Sequence, residues 1–170
     1  PRLREAAGAG SGATLWRGLG RLTDPVNGHA DPVHVTASVL ITGPRGVILL
    51  KHKKLGIWVQ PGGHIDPGET PGQAAAREGT EETGLPVTLA ETELAHVDVH
   101  PGPRGHTHLD ARFICHTSDE DPRPPPRDTK GCYWFSWPDP FALAADGIRC
   151  LLVPRTSQPI RSLTDCTAIR

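Results

Sequence analysis

Three carboxylates, Glu78, Glu81 and Glu82, fall at i, i+3 and i+4 of a segment rich in alanine. On a helix that spacing puts all three on one face. Like charges so placed repel, and the only basic residue of the segment, Arg77, stands about 100° to one side. A hard divalent cation would relieve the repulsion, because Mg²⁺ or Mn²⁺ prefers carboxylate oxygen and keeps several waters. Such an ion suits a polyphosphate substrate, whose oxygens it bridges while activating a water. The residue types therefore point to metal-assisted hydrolysis of a phosphoanhydride.

The elements that must position these side chains are written around them. Pro61-Gly62-Gly63 and Asp66-Pro67-Gly68 are turn punctuation ahead of the helix. Thr70 offers a capping hydroxyl, Pro71 suits the first helical position, and Gln73 occupies the capping-box position. Ala74, Ala75 and Ala76 extend the helix with good propensity, and Gly84 ends it as the residue most tolerant of a left-handed cap. The spacing predicts roughly three to four turns from Pro71.

In register, Gly63, Glu69, Arg77, Glu78, Glu81, Glu82, Gly84 and Leu85 match the pattern G-x5-E-x7-R-E-U-x-E-E-x-G-U, with U aliphatic. The segment thus resembles the box of the Nudix (MutT-like) hydrolases. The resemblance implies an α/β fold, the Nudix α/β/α sandwich, with a mixed β-sheet and the box as loop-helix-loop. It implies that Glu78, Glu81 and Glu82 with the Gly63 carbonyl hold Mg²⁺, for which Mn²⁺ can substitute, and that Arg77 and Glu69 form an ion pair fixing the loop to the helix. Glu81 or Glu82 would orient or deprotonate water. The implied reaction is Mg²⁺-dependent hydrolysis of a pyrophosphate bond in a nucleoside diphosphate linked to another moiety. Pro101, 16 residues past Leu85, resembles a marker of ADP-ribose pyrophosphatases, and a MutT-like (d)NTP pyrophosphohydrolase is equally tenable. A catalytically silent Nudix-fold nucleotide sensor is the alternative from another class, and the intact carboxylates argue against it. One position departs from the pattern: Gly79 stands where an aliphatic side chain normally packs under the helix.

Around the box, Val33 to Thr42 and Val47 to Leu50 read as a hairpin of buried strands turned by Gly43-Pro44-Arg45-Gly46. Lys51-His52-Lys53-Lys54 is the most basic cluster, and Lys51 and Lys53 are candidates to face phosphates. Val87 to Ala90 and Leu94 to His100 read as strand, with His96, Asp98 and His100 on one face. A histidine-rich loop follows. His100, His106, His108 and Asp110, together with His64 of the box turn, are candidates to bind substrate phosphate or a second metal ion. Residues 117–130, rich in proline and charge, read as an exposed, mobile linker, and Gly131 to Trp137 as a last strand followed by a helix from Pro138. Its acids Asp119, Glu120, Asp121 and Asp128 leave open any further metal ligand.

The domain expected is 31–150, preceded by a segment 1–30 with a short amphipathic helix near 13 to 23, and followed by a tail, 151–170, packing on the domain. The N-terminal helix would pack on the domain or on a second copy, giving a homodimer. A net charge of −1 among 170 residues carries no footprint for nucleic acid, and no apolar run approaches a membrane span, so neither partner is expected and a cytoplasmic setting is; the resemblance implies a small nucleotide-type partner. The cysteines, Cys115, Cys132, Cys150 and Cys166, lack metal-site spacing and read as reduced structural thiols.

Overall fold

The structure, a computed structural model, describes residues 31–89, 94–126 and 131–136. The helices expected near 13 to 23 and from Pro138, and the tail 151–170, lie outside them. Within them the chain forms strands β1 (Val33–Gly43), β2 (Gly46–Lys51), β3 (Trp58–Val59) and β4 (Gly62–His64), helix α1 (Pro71–Thr83), then β5 (His96–Pro101), β6 (Thr107–His116) and β7 (Cys132–Phe135). The strand expected over Val87 to Ala90 does not form across 87–89. That stretch is irregular, with its Val87 amide bonded to the Thr80 hydroxyl rather than to a neighbouring strand.

β1 is the spine of a mixed sheet. It pairs in parallel with β6 over its whole length, His34 opposite His108 through Thr42 opposite His116. Its other edge is shared, antiparallel, by β2 at the Thr42 end and by β4 at the Thr36 end. β5 extends the sheet beyond β6, and β7 lies along β2. The period of two sorts β1 into two faces. Val35, Ala37, Val39 and Ile41 point to one side, where they join Ala74 and Ala75 of α1, Ile65, Leu85, Val87 and Phe113 in the core. His34, Thr36 and Ser38, all buried, point to the other.

The helix is held as its sequence dictates. The Thr70 hydroxyl accepts from the Gln73 amide while the Gln73 side chain accepts from the Thr70 amide, and Gly84 takes a left-handed φ of 71°. Gly79 is buried, and the space an aliphatic residue would fill is already taken: a Cβ there would lie 2.7 Å from Cγ1 of Val39 and 3.2 Å from Cγ2 of Val87. Two valines from outside the helix thus replace the missing side chain. Restoring an aliphatic residue, as in Gly79→Leu, is expected to destabilise the fold by about 1–3 kcal/mol through overpacking, despite the better helix propensity. Urea unfolding checks this, and Val39→Ala on the same background should recover part of the loss.

The segment after β6 is exposed but not a free linker. Arg45 of the β1–β2 turn pairs with Asp121 at 2.6 Å, the Trp134 indole donates to the Glu120 carbonyl at 2.9 Å, and the Arg123 amide donates to the Thr83 carbonyl at 2.7 Å. The expectation of mobility is corrected for residues 117–126, because these bonds tie them to β7 and to the end of α1.

Candidate active site

α1 turns its carboxylates toward β4. The Gly62 amide donates to Glu82 Oε2 at 3.0 Å, which fixes the last of the three against the strand. Gly63 permits the first to do the same: a Cβ on Gly63 would sit 2.5 Å from Glu78 Oε1, so only a bare backbone lets that carboxylate lie so close. Glu81 is the outlier, its side chain 60% exposed against 18% for Glu78.

Arg77 is more than a partner for Glu69. Its guanidinium donates to Glu69 Oε1 and Oε2 at 2.8 and 3.0 Å, to Glu78 Oε1 at 2.8 Å and to the His64 carbonyl at 3.0 Å, and reaches Glu81 Oε2 at 3.4 Å. The Glu69 carboxylate also accepts from the Asp66 amide at 3.0 Å. One side chain therefore ties the loop, the end of β4 and the helix together. It also supplies part of the countercharge that the sequence left unassigned, the 100° offset being small for so long a side chain. The hydrogen bonds from Arg77 hold the Glu69 carboxyl below its ordinary range, against the smaller effect of burial. Glu78 is the opposite case: burial, helped by the charges of Glu81 and Asp66, pushes its carboxyl up against the pull of Arg77.

Oxygen donors on one helix face, set against a glycine backbone, are the donor chemistry that a hard divalent cation requires. The residues present fit such an ion.

The basic cluster starts at the end of β2, and its candidates have their own surroundings. Lys51 Nζ lies over the Trp58 ring, 5.1 Å from its centroid, and Lys53 is exposed in the turn before β3. Trp58 packs edge-on against Phe135 at 4.7 Å, beside the exposed Tyr133.

The histidines do converge, on the face of the sheet away from α1. His108 sits between His34 and His100, with ring centroids 4.9 and 5.3 Å away, and His64 stacks on His34 at 5.1 Å. His106 meets His34 edge-on at 5.3 Å. His34 was not among the expected site residues, because it was read as part of a buried apolar strand. The polar alternation His34, Thr36, Ser38 in β1 was the signal available. Asp110 is corrected as a candidate ligand. Its oxygens accept from Thr36 Oγ1 at 3.2 Å, Ser38 Oγ at 2.7 Å, Gln60 Nε2 at 3.2 Å and Arg112 Nε at 2.9 Å, so the buried carboxylate is already engaged by four donors of the fold. Arg112 also donates to Asp98 at 2.6 Å, and His100 Nδ1 lies 3.1 Å from the same Asp98 oxygen.

Burial lowers the pKa of His34, of His96 and, to about 4, of His108, where the neighbouring imidazoles add to the effect. A histidine whose folded pKa lies below its ordinary 6.5 is protonated first in the unfolded chain, so its contribution to stability is complete above pH 6.5 and is lost as pH falls toward the folded value. Glu78, with a raised pKa, works in the other direction. The informative measurement is therefore a difference, taken with chelator present. The urea midpoint of wild type is expected to fall more steeply from pH 7 to pH 5 than that of His108→Gln. Equal slopes would show that His108 does not resist protonation.

Residues 32–151 match the NUDIX domain family model. A putative 8-oxo-dGTP diphosphatase of Bacillus subtilis is 35% identical over 66 residues, which is 39% of this chain and 42% of that protein. The chain therefore spans under half the length of this curated relative. Among solved structures, a NUDIX-family hydrolase from Clostridium perfringens aligns with a TM-score of 0.56 at 29% identity, over 61% of this chain and 81% of the other. A MutT NUDIX hydrolase from Burkholderia pseudomallei aligns with a TM-score of 0.59 at 26% identity, over 69% and 94%. With the mixed sheet, the capped box helix and the domain match in agreement, the chain belongs to the Nudix (MutT-like) family.

Proposed function

We propose that this chain is a divalent-metal-dependent pyrophosphohydrolase acting on a nucleoside diphosphate linked to another moiety, with a (d)NTP or ADP-ribose as the type of substrate. The observation that carries the reading is the placing of Glu78 and Glu82 against the bare backbone of Gly62 and Gly63, with Arg77 locked to Glu69 beside them. Glu78, Glu81, Glu82 and the Gly63 carbonyl would hold Mg²⁺ or Mn²⁺. Such an ion supplies charge neutralisation on the pyrophosphate oxygens and a more acidic water.

The chain's own residues divide the remaining work. Glu82 is oriented by the Gly62 amide, and Glu78 by Arg77. Glu81, exposed and held by Arg77 only at 3.4 Å, is the carboxylate with the freedom to take a proton from the attacking water. Arg77 and Glu69 are positioning residues that keep the loop and helix in register. The relative from Bacillus subtilis, named for 8-oxo-dGTP, favours starting with nucleoside triphosphates.

A phosphate-release screen with Mg²⁺ and with Mn²⁺ tests the reading across (d)NTPs, 8-oxo-dGTP, ADP-ribose, nucleotide sugars and dinucleoside polyphosphates. Turnover of at least one class is expected. Inactivity across the panel, with binding of a nucleotide retained, would instead make the chain a sensor.

A further inference from the structure

His34, His64 and His108 come from three strands, β1, β4 and β6, and meet because of the register: His34 lies opposite His108, and His64 opposite Thr36, two residues along β1 on the same face. One ring nitrogen from each lies within 4.8 Å of the others. His34 is fully buried, and its Nδ1 is 3.2 Å from the Asp31 carbonyl. A carbonyl can only accept, so Nδ1 carries the proton and Nε2 keeps its lone pair. That Nε2 is buried with no hydrogen-bond partner, and so is Nε2 of His108. Two orphaned imidazole nitrogens in one small cluster are costly in a folded protein unless something meets them.

We propose that His34, His64 and His108 form a three-imidazole site for a borderline divalent cation of the Zn²⁺ class, on the sheet face opposite the box carboxylates and independent of them. Neutral imidazole suits Zn²⁺, Ni²⁺ or Cu²⁺, whereas the all-oxygen carboxylate set suits Mg²⁺ or Mn²⁺, so the two sites sort cations by donor type. A histidine ligand held through its other nitrogen by a backbone carbonyl is the usual supporting arrangement, and His34 has it. At a Zn–N length of about 2.0–2.1 Å, tetrahedral nitrogens stand about 3.4 Å apart. The rings must therefore draw together by roughly an ångström, and His64, exposed at the end of β4, has the room to do so. Burial already keeps His34 and His108 in the neutral form that can ligate. The fourth position falls to a water or to His106, whose ring is 5.3 Å from that of His34. Bound there, the ion would join β1, β4 and β6 through their side chains, beside the backbone pairing.

The experiment uses the full chain, stripped with chelator and titrated first with Co²⁺ as a spectroscopic probe and then with Zn²⁺ in competition. One equivalent with the visible absorption of a nitrogen-bound, four-coordinate Co²⁺ is expected, apart from any cation on the box carboxylates, with a rise in thermal midpoint on adding Zn²⁺. The Glu81→Gln, Glu82→Gln double variant should bind Zn²⁺ as wild type does, while His108→Gln and His64→Gln each weaken binding at least tenfold. Because His64 is exposed, its variant remains informative if His108→Gln does not fold. Zn²⁺ binding that is absent in wild type, unchanged in His64→Gln, or lost in the glutamate variant would overturn the proposal.

Discussion

Glu82→Gln is expected to lower kcat by a factor on the order of a hundred or more while leaving the unfolding midpoint where it was. The two halves of that expectation have separate origins. Glutamine keeps the shape of the side chain, and its amide oxygen can still accept from the Gly62 amide, so the contact between α1 and β4 survives. What is lost is the negative charge, which a cation on this face requires and a structural hydrogen bond does not. Steady-state kinetics on the best substrate, beside an urea titration of the same preparation, separate the two. Glu120→Gln, a change at an exposed carboxylate outside the box, is the control and should leave kcat as it was. Turnover by Glu82→Gln within a few-fold of wild type would remove Glu82 from the catalytic set.

The largest effect on stability is expected at Asp110. The carboxylate is 3% exposed and gathers four donors from β1, β6 and Gln60. Its removal in Asp110→Ala strands the Thr36 and Ser38 hydroxyls and leaves the Arg112 guanidinium, itself 4% exposed, with Asp98 as its remaining carboxylate among the bonds described. Breaking a buried pair by deleting one partner costs about 3–5 kcal/mol, mostly because the other charge stays buried. Urea unfolding at pH 7.5 should show a loss of that order for Asp110→Ala. Replacing both charges, as in Asp110→Leu with Arg112→Met, should lose less than the two single changes added together. A loss below about 1 kcal/mol for Asp110→Ala would mean that water satisfies these groups as well as the carboxylate does.

Why some of this was legible in the sequence and some was not follows from the range of the interactions. The start and stop of α1 depend on residues within a turn of each other, Thr70 with Gln73 and Gly84 at the end, so local chemistry was enough. The alternation of β1 and the hairpin into β2 are likewise local. The filling of the gap at Gly79 is not, because Val39 lies 40 residues before it and faces it only once β1 is packed under the helix. Asp110 stands among the candidate ligands for the same reason: the hydroxyls that engage it are 72 and 74 residues away. The polar side chains His34, Thr36 and Ser38 were visible in the sequence, but a run otherwise rich in valine outweighed them. Lys51 has a partner that its strand register supplies, since Trp58, its neighbour in the β2–β3 pairing, lies under the ammonium.

The consequence for function is a sheet with two chemically distinct faces. On the α1 side stand carboxylates organised by Arg77 and the box glycines. On the other stands a buried polar network around Asp110 with a cluster of imidazoles beside it.

The central claim, that catalysis depends on a hard cation at Glu78, Glu81 and Glu82, is tested most directly by the metal dependence of turnover on the best substrate of the screen. Activity is expected to vanish on chelation, to return with Mg²⁺ or Mn²⁺, and to require much higher Mg²⁺ in Glu82→Gln than in wild type. Turnover that survives thorough chelation, or a Mg²⁺ requirement identical in the two proteins, would contradict the account.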